Sequence, residues 1–241
     1  MPVLSIVIPA YNEAAFIGSL LERILEVRTE LLGFQKEVIV VDDGSKDKTG
    51  EIARGFGPVK VFTQVPNQGK GKAVQRGILE STGDYILIQD ADLEYDPNDY
   101  LPLLRALGPR ADAVYGSRTL GQARETPGWS LTPGRHRDQH FGPWLAGVLL
   151  SLWTLFLYGR WITDTLTAYK LYPARAVKEM HIKTSGFETD HEITAKLIKQ
   201  GFHIREVPIS YFPRGVEAGK KIKPRDGFIA VWTLLKFRFT N

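Results

Sequence analysis

Ile86-Leu87-Ile88-Gln89-Asp90-Ala91-Asp92-Leu93-Glu94-Tyr95-Asp96 is a short apolar strand that runs into two acids separated by one small residue, with two more acids close behind. Carboxylates crowded at the end of a buried strand repel one another and lose hydration, so a cation should compensate them. A divalent metal that prefers oxygen meets that demand. Mg²⁺ or Mn²⁺ held by one or two carboxylates usually shares its coordination with substrate phosphates. An acidic turn that only breaks the strand and caps the helix near Pro97 is the competing reading.

The same pattern, a buried strand with a polar end, recurs on the N-terminal side. Leu4-Ser5-Ile6-Val7-Ile8-Pro9 leads into Ala10-Tyr11-Asn12-Glu13, and Glu37-Val38-Ile39-Val40-Val41 closes on Asp42-Asp43-Gly44-Ser45. Val59 to Phe62 is a third strand and Tyr85 to Ile88 a fourth. Between them, Ile17, Leu20, Leu21, Ile24 and Leu25 share one helical face, and further helices are expected at Lys48 to Arg54 and Lys70 to Leu79. Near-continuous β-branched strands alternating with helices imply an α/β fold: a mostly parallel, Rossmann-like sheet covered on both faces. Ligands of such sheets bind beyond the carboxyl ends of the strands, where these acids lie.

From Gly116 the pattern changes. Gly121 to His140, rich in Gly, Pro and Arg, reads as a long mobile loop. Pro143 to Tyr158 is almost wholly apolar but shorter than the ~20 residues that cross a bilayer. It reads as a helix that is either buried or lies at a membrane interface. A helix is expected from Glu188 to Lys199 and a strand from His203 to Ile209, before an end that mixes Trp232, Leu234, Leu235 and Phe237 with Lys236 and Arg238. With no internal repeat or low-complexity linker, residues 1–241 read as one domain with two halves, 1–117 and 118–241.

The 241 residues, 43% hydrophobic and 24% charged, suit a folded chain with a sizeable core. No cysteine is present, which excludes disulfides, zinc–thiolate sites and thiol catalysis. A net charge of +4 is too mild to argue for nucleic acid. Arg214, Lys220, Lys221, Lys223 and Arg225, opposed only by Glu217, form a basic run suited to phosphates, an anionic membrane or simple solvation. No basic segment followed by a long apolar run is seen at the start, so a cytoplasmic location is expected.

Asn12 and Glu13 suit a helix start, as cap and early acid. Together with Pro9 and Tyr11 they also offer a ring, amides and an acid suited to a nucleoside. Asp42 and Asp43 are either turn formers with Gly44 or, following the second strand of a nucleotide fold, partners of a ribose or base edge. Asn67-Gln68-Gly69-Lys70-Gly71-Lys72 lacks the spacing of a P-loop and reads as a helix start near a diphosphate or as a turn.

In this order the pieces Ile8-Pro9-Ala10-Tyr11-Asn12-Glu13, Val41-Asp42-Asp43-Gly44-Ser45, Gly69-Lys70-Gly71, Asp90-Ala91-Asp92, Gly116-Ser117-Arg118, Thr163-Asp164 and Tyr169-Lys170 resemble the inverting family-2 glycosyltransferases. The resemblance covers nearly the whole chain and implies the A-type glycosyltransferase (GT-A) fold, with a nucleotide-diphosphate sugar as donor bound by the 1–117 half and the acceptor by the 118–241 half. It assigns the nucleoside to Pro9, Tyr11, Glu13, Val41 and Asp43. Metal and sugar fall to Asp90, Ala91, Asp92 and Glu94, with Mg²⁺ or Mn²⁺ as cofactor.

The later stretch Glu206-Val207-Pro208-Ile209-Ser210-Tyr211-Phe212-Pro213-Arg214, followed by Gly219-Lys220, is similar to the polyprenyl-phosphate sugar synthases of that family. That similarity implies that Arg118, Arg214 and Lys220 bind the donor diphosphate or the acceptor phosphate. A phosphomonoester is already ionised near neutral pH, so it can attack the anomeric carbon with little help from a base. The protein then mainly holds two anions in line against their repulsion.

The expected reaction is transfer of a hexose from GDP-mannose or UDP-glucose to dolichyl or undecaprenyl phosphate, peripherally at the cytoplasmic membrane face. Membrane access would run through Trp144 to Tyr158 and the basic, aromatic end, or through a partner. The alternative moves the hexose onto a hydroxyl of a soluble or polysaccharide acceptor, with Asp190 as general base. Ser185-Gly186-Phe187-Glu188 reads as a capping box and His191 as an orienting or surface residue. Asp164 either positions the acceptor or braces the loop before Tyr169-Lys170. A nucleotide-sugar-binding module without turnover, or an RNA- or membrane-surface protein, explains strand-end acids in this order less well.

Overall fold

The computed structural model describes residues 1–108, 112–125, 134–135, 141–213 and 224–240. Its strands are β1 (Val3–Ala10), β2 (Gln35–Asp42), β3 (Val59–Thr63), β4 (Tyr85–Ile88), β5 (Ala113–Ser117), β6 (Lys170–Pro173) and β7 (Ile204–Pro208). The helices are α1 (Ile17–Glu26), α2 (Thr49–Arg54), α3 (Lys70–Glu80), α4 (Tyr100–Ala106), α5 (Arg118–Glu125), α6 (Phe141–Tyr158), α7 (Ala174–Lys178), α8 (Thr189–Lys199) and α9 (Pro224–Phe239). The described strands form one sheet in the order β3-β2-β1-β4-β6-β5-β7. Strand β6 runs antiparallel to both its neighbours, and the other pairs are parallel. Strands from both halves of the chain therefore interleave, with β6 between β4 and β5.

Alternation along the strands divides the core. Leu4, Ile6 and Ile8 of β1 pack with Val38, Val40, Leu87 and Leu171 beneath α1 and α4, where Ile17, Leu20, Leu21 and Ile24 are buried. Val7 points to the other face, with Ile86, Ile88, Tyr115 and Tyr172 beneath α3, α7 and α8. Each buried Leu or Ile contributes about 1.5–3 kcal/mol. Outside α8, helices α6 and α9 form a further layer through Leu150, Leu157, Ala195, Leu234 and Phe237.

Two local expectations are corrected. The segment from Gly121 is not loop at its start, because α5 covers Arg118–Glu125. Ser117 Oγ accepts from the Leu120 amide at 3.1 Å and so caps this helix. A Cβ at Gly121 would lie 2.1 Å from the Ile209 carbonyl oxygen, so only glycine lets α5 approach the end of β7 this closely. Residues 126–133 and 136–140 of the expected loop lie outside the described residues. The capping box at Ser185 also does not form: α8 starts at Thr189, and the Glu188 carboxylate accepts from the Gly186 amide at 3.1 Å.

At the opposite end of the sheet from the strand-end acids, Glu37 accepts from Lys60 at 2.6 Å, from the Thr82 amide and hydroxyl at 2.8 and 2.9 Å, and from Ser5. Burial opposes ionisation of Glu37, but these partners outweigh it and hold the carboxyl near 2, against an ordinary 4.5. A depressed folded-state value contributes stability that is present above pH 4.5 and lost as pH falls from 4.5 towards 2. Allowing for screening at the exposed Lys60 side, Glu37→Ala is expected to destabilise by about 2 kcal/mol at pH 7. The same change should flatten the acid limb of the stability curve, measured by urea unfolding at pH 3 and pH 7. Equal losses at both pH values would refute this.

Candidate active site

The carboxyl ends of β1, β2, β4 and β5 meet on one side of the sheet, and antiparallel β6 begins there. Pro9 pairs in register with Val41, and Ala10 with Asp42, so the Tyr11–Glu13 and Asp43–Ser45 turns stand side by side. The Asn12 amide donates to Ser45 Oγ at 3.0 Å, and Asn12 Oδ1 accepts from the Lys46 amide at 2.8 Å. The Glu13 amide donates to Thr49 Oγ1 at 2.8 Å. Asn12 sits in the left-handed region (φ 53°), which Asn tolerates better than most residues. Asn12 therefore does not cap α1, which starts only at Ile17; it stitches two loops together.

Asp42 forms the expected turn, with Oδ1 accepting from the Ser45 amide at 3.0 Å. Asp43 instead organises the next loop. Its buried carboxylate accepts from Gln64 at 2.6 Å and from the Gln68 and Gly69 amides at 2.8 Å each. Gly69 (φ 96°) then turns the chain into α3. The Gly71 amide donates to the Ser185 carbonyl at 2.8 Å, and a Cβ there would lie 2.0 Å from Thr189 Oγ1. This contact draws the start of α3 against the start of α8.

Lys70, the first residue of α3, reaches Asp90 at 2.6 Å. Burial alone would lower its ammonium, but the carboxylates of Asp90, Asp190 and Asp92 override it and hold Lys70 above its ordinary value. The cation that the crowded acids require is thus partly supplied by the chain itself. Asp92 is buried, with Oδ1 accepting from the Glu94 amide at 3.0 Å. Glu94 turns elsewhere, accepting from the Tyr211 hydroxyl at 2.9 Å. No group of three acids or histidines placed to hold a metal occurs among the described residues.

Arg118, just beyond β5, meets Asp164 in a fork: Nε to Oδ2 at 2.7 Å, Nη2 to Oδ1 at 2.8 Å and its own amide to Oδ2 at 3.0 Å. Burial disfavours the Asp164 carboxylate, but Arg118 outweighs it and holds the group below the usual range. The Arg118 guanidinium also lies 4.9 Å from the Tyr211 ring centre. Half-buried Glu206 braces the turn by accepting from the Thr163 and Asp164 amides at 2.8 and 3.1 Å. Asp164 is therefore both a brace and a partner of Arg118.

Asp190 lies in the first turn of α8, facing Lys70. His191 is buried rather than on the surface, and burial, reinforced by Lys170, pushes it down to about 3, so it is neutral. Arg214 and Lys220 lie outside the described residues. Lys70 and Tyr211 were not singled out as site residues by the sequence. The signal for Lys70 lay in the Gly69-Lys70-Gly71 piece and in the demand for a cation beside Asp90, and that for Tyr211 in the Glu206 to Arg214 stretch.

Residues 5–156 match the family described as Glycosyl transferase family 2. The chain belongs to that family. This family-2 member is 41% identical over 236 residues to the human dolichyl-phosphate β-glucosyltransferase, a match covering 86% of this chain and 67% of the relative. It is 31% identical to a Haloferax volcanii dolichyl-phosphate hexose transferase, covering 95% and 90%. A third relative, the Haloferax volcanii low-salt glycan biosynthesis hexosyltransferase Agl6, is matched at 29% over the whole chain, which spans only 54% of that protein. Among solved structures, glucosyl-3-phosphoglycerate synthase from Mycobacterium tuberculosis bound to UDP superposes with a TM-score of 0.71 at 19% identity, covering 98% of this chain and 80% of that one. The fold of this family-2 member is accordingly the A-type glycosyltransferase fold.

Proposed function

We propose that this family-2 member moves a hexose from a nucleotide-diphosphate sugar to a polyprenyl phosphate, inverting the anomeric centre by a single displacement. The observation that carries this reading is the meeting of Asp90, Asp92 and Lys70 with the Arg118–Asp164 fork on one rim of the sheet. Two relatives named as dolichyl-phosphate transferases support the acceptor class.

The nucleoside would lie over the stitched turns of Pro9, Tyr11, Glu13, Val41 and Asp43. Asp90 and Asp92 offer the hard oxygen donors that suit Mg²⁺ or Mn²⁺, and Lys70 on Asp90 marks a place that draws a cation. Two carboxylates suffice where diphosphate oxygens complete the coordination. Such an ion, when bound, neutralises the diphosphate charge; M. tuberculosis structures of the phosphoglycerate enzyme with Mn²⁺ and UDP support this. Arg118, held in the Asp164 fork, presents fixed positive charge towards an anionic partner, and Arg214 and Lys220 are proposed to add to it. An ionised phosphate acceptor needs no base, so positioning and charge compensation carry the reaction.

A second reading transfers the hexose to a hydroxyl with Asp190 as base. The placement of Asp190 beside Lys70 and the structural likeness to a phosphoglycerate-glucosylating enzyme support it. Incubating the protein and Mn²⁺ with labelled GDP-mannose or UDP-glucose, and either polyprenyl phosphate or soluble sugars, decides between them. Label confined to the aqueous phase would reject the lipid acceptor.

Peripheral membrane contact is part of the proposal. No helix among the described residues is long and apolar enough to cross a membrane. Yet Leu149 and Phe156 of α6, Trp161, and Phe228, Trp232 and Phe239 of α9 are exposed, with Phe156 at 78% and Trp232 at 63%. Arg160, Arg225, Lys236 and Arg238 stand exposed on the same segments. Such an apolar face with basic residues suits an anionic lipid surface. Phe156→Glu with Trp232→Glu should lower partitioning onto phosphatidylserine-containing vesicles at least about tenfold, since each change replaces an exposed aromatic ring with a negative charge that anionic lipid repels. Unchanged sedimentation with vesicles would discard this surface.

A further inference from the structure

Lys170 is the one charged residue of β6 and among the largest fully buried side chains of the protein. In register it lies between Ile88, the last residue before Gln89-Asp90, and Tyr115 of β5. Its ammonium donates to the Thr165 carbonyl at 3.1 Å, one residue beyond Asp164, whose Oδ1 also accepts from the Leu166 amide. It also lies 5.3 Å from the Tyr115 ring centre. The Tyr115 hydroxyl meets Thr194 Oγ1 at 2.9 Å, and Thr194 Oγ1 donates to the Asp190 carbonyl at 2.7 Å. One buried side chain thus touches the Asp164 turn directly and the Asp190 turn through Tyr115 and Thr194.

The charges around it alternate. Asp90 pairs with Lys70, Lys70 also faces Asp190, and Asp164 pairs with Arg118. Lys170 faces Asp190 and Asp164 as its attractive partners and Lys70 and Arg118 as its repulsive ones. The row Asp90, Lys70, Asp190, Lys170, Asp164, Arg118 crosses the rim of the sheet, and Lys170 is its only fully buried cation. A desolvated ammonium is unfavourable unless opposite charges and hydrogen bonds compensate it. Packing alone therefore gives no reason for a lysine at this position.

We propose that Lys170 is a positioning residue that holds Asp164 and Asp190 in their acceptor-side orientations, between the cations Arg118 and Lys70. This inference rests on the proposed transfer reaction and assigns the acceptor half of that site its internal support. Lys170 touches neither donor nor acceptor; it acts through the two carboxylates.

The test uses Lys170→Met, Asp190→Asn and the double variant, with the donor and acceptor that support wild-type transfer. Lys170→Met should lower kcat at least tenfold while the Kd for UDP or GDP with Mn²⁺ changes less than twofold. The double variant should be no slower than Asp190→Asn alone, because both changes remove one unit of function. Multiplicative losses, an unchanged kcat in Lys170→Met, or an unimpaired Asp190→Asn would each overturn the inference. If Lys170→Met does not fold, Lys170→Gln, which can still donate to Thr165, takes its place with the same expectations. Should the wild-type protein transfer nothing, the functional reading falls separately. The crystal structure of Lys170→Met then decides, with Asp164 and Asp190 side chains in unaltered positions refuting the role of Lys170.

Discussion

Asp92→Asn is expected to lower kcat by about 10³-fold while leaving the fold intact, since the loss of one charge-stabilising group in a preorganised site typically costs 10²–10³. The fold should survive because an Asn oxygen can still accept the 3.0 Å bond from the Glu94 amide. What disappears is a buried negative charge beside Asp90, and with it half of the proposed oxygen donor set for Mg²⁺ or Mn²⁺. The Mn²⁺-dependent rise in Tm with UDP or GDP should vanish in the same variant. Glu94→Gln provides the contrast. Its carboxylate is engaged by Tyr211, so its loss should cost less than tenfold. An Asp92→Asn enzyme working within tenfold of wild type, or equal effects at positions 92 and 94, would remove the pair Asp90–Asp92 from the centre of the site.

Arg118→Met is expected to be the most destabilising single change at the rim. It leaves Asp164, which is 7% exposed, as a buried carboxylate without its forked partner. Breaking a buried pair from one side typically costs 3–5 kcal/mol. For a chain of this size that corresponds to a fall in Tm of about 10 °C, readable by calorimetry. Arg118→Lys should recover only part of it, because an ammonium cannot make both fork bonds and stack on Tyr211 at once. Arg118→Met with Asp164→Asn should be more stable than Arg118→Met alone, since no uncompensated charge remains. A single Arg118→Met variant that melts within 2 °C of wild type would show that water, not Arg118, balances Asp164.

Much of the scaffold was readable because periodicity reports burial directly. The runs Leu4 to Pro9, Glu37 to Val41 and Tyr85 to Ile88 alternate between two apolar faces, so β1, β2 and β4 fell where the pattern put them. Helix α3 was marked by Gly69 and α1 by the shared face of Ile17, Leu20, Leu21, Ile24 and Leu25, of which the first four are buried. The elements missed lack that signal. Strand β6 is only four residues long and carries a lysine, and α5 hides its cap, Ser117, inside a strand that ends there. The antiparallel insertion of β6 between β4 and β5 has no local signature, because register depends on neighbours far along the chain.

For the site, the sequence by itself fixed the chemistry on offer: acids at strand ends, a need for a cation beside Asp90, and no thiol. Those follow from residue type and from the rule that polar groups gather where buried strands stop. Only the tertiary structure decided how the groups pair. It set Lys70 on Asp90, Tyr211 on Glu94 and Arg118 on Asp164, and it buried Lys170 among Asp190, Asp164, Lys70 and Arg118. Charges act through distance in space and through loss of water, and neither quantity is written in the spacing of residues along a chain.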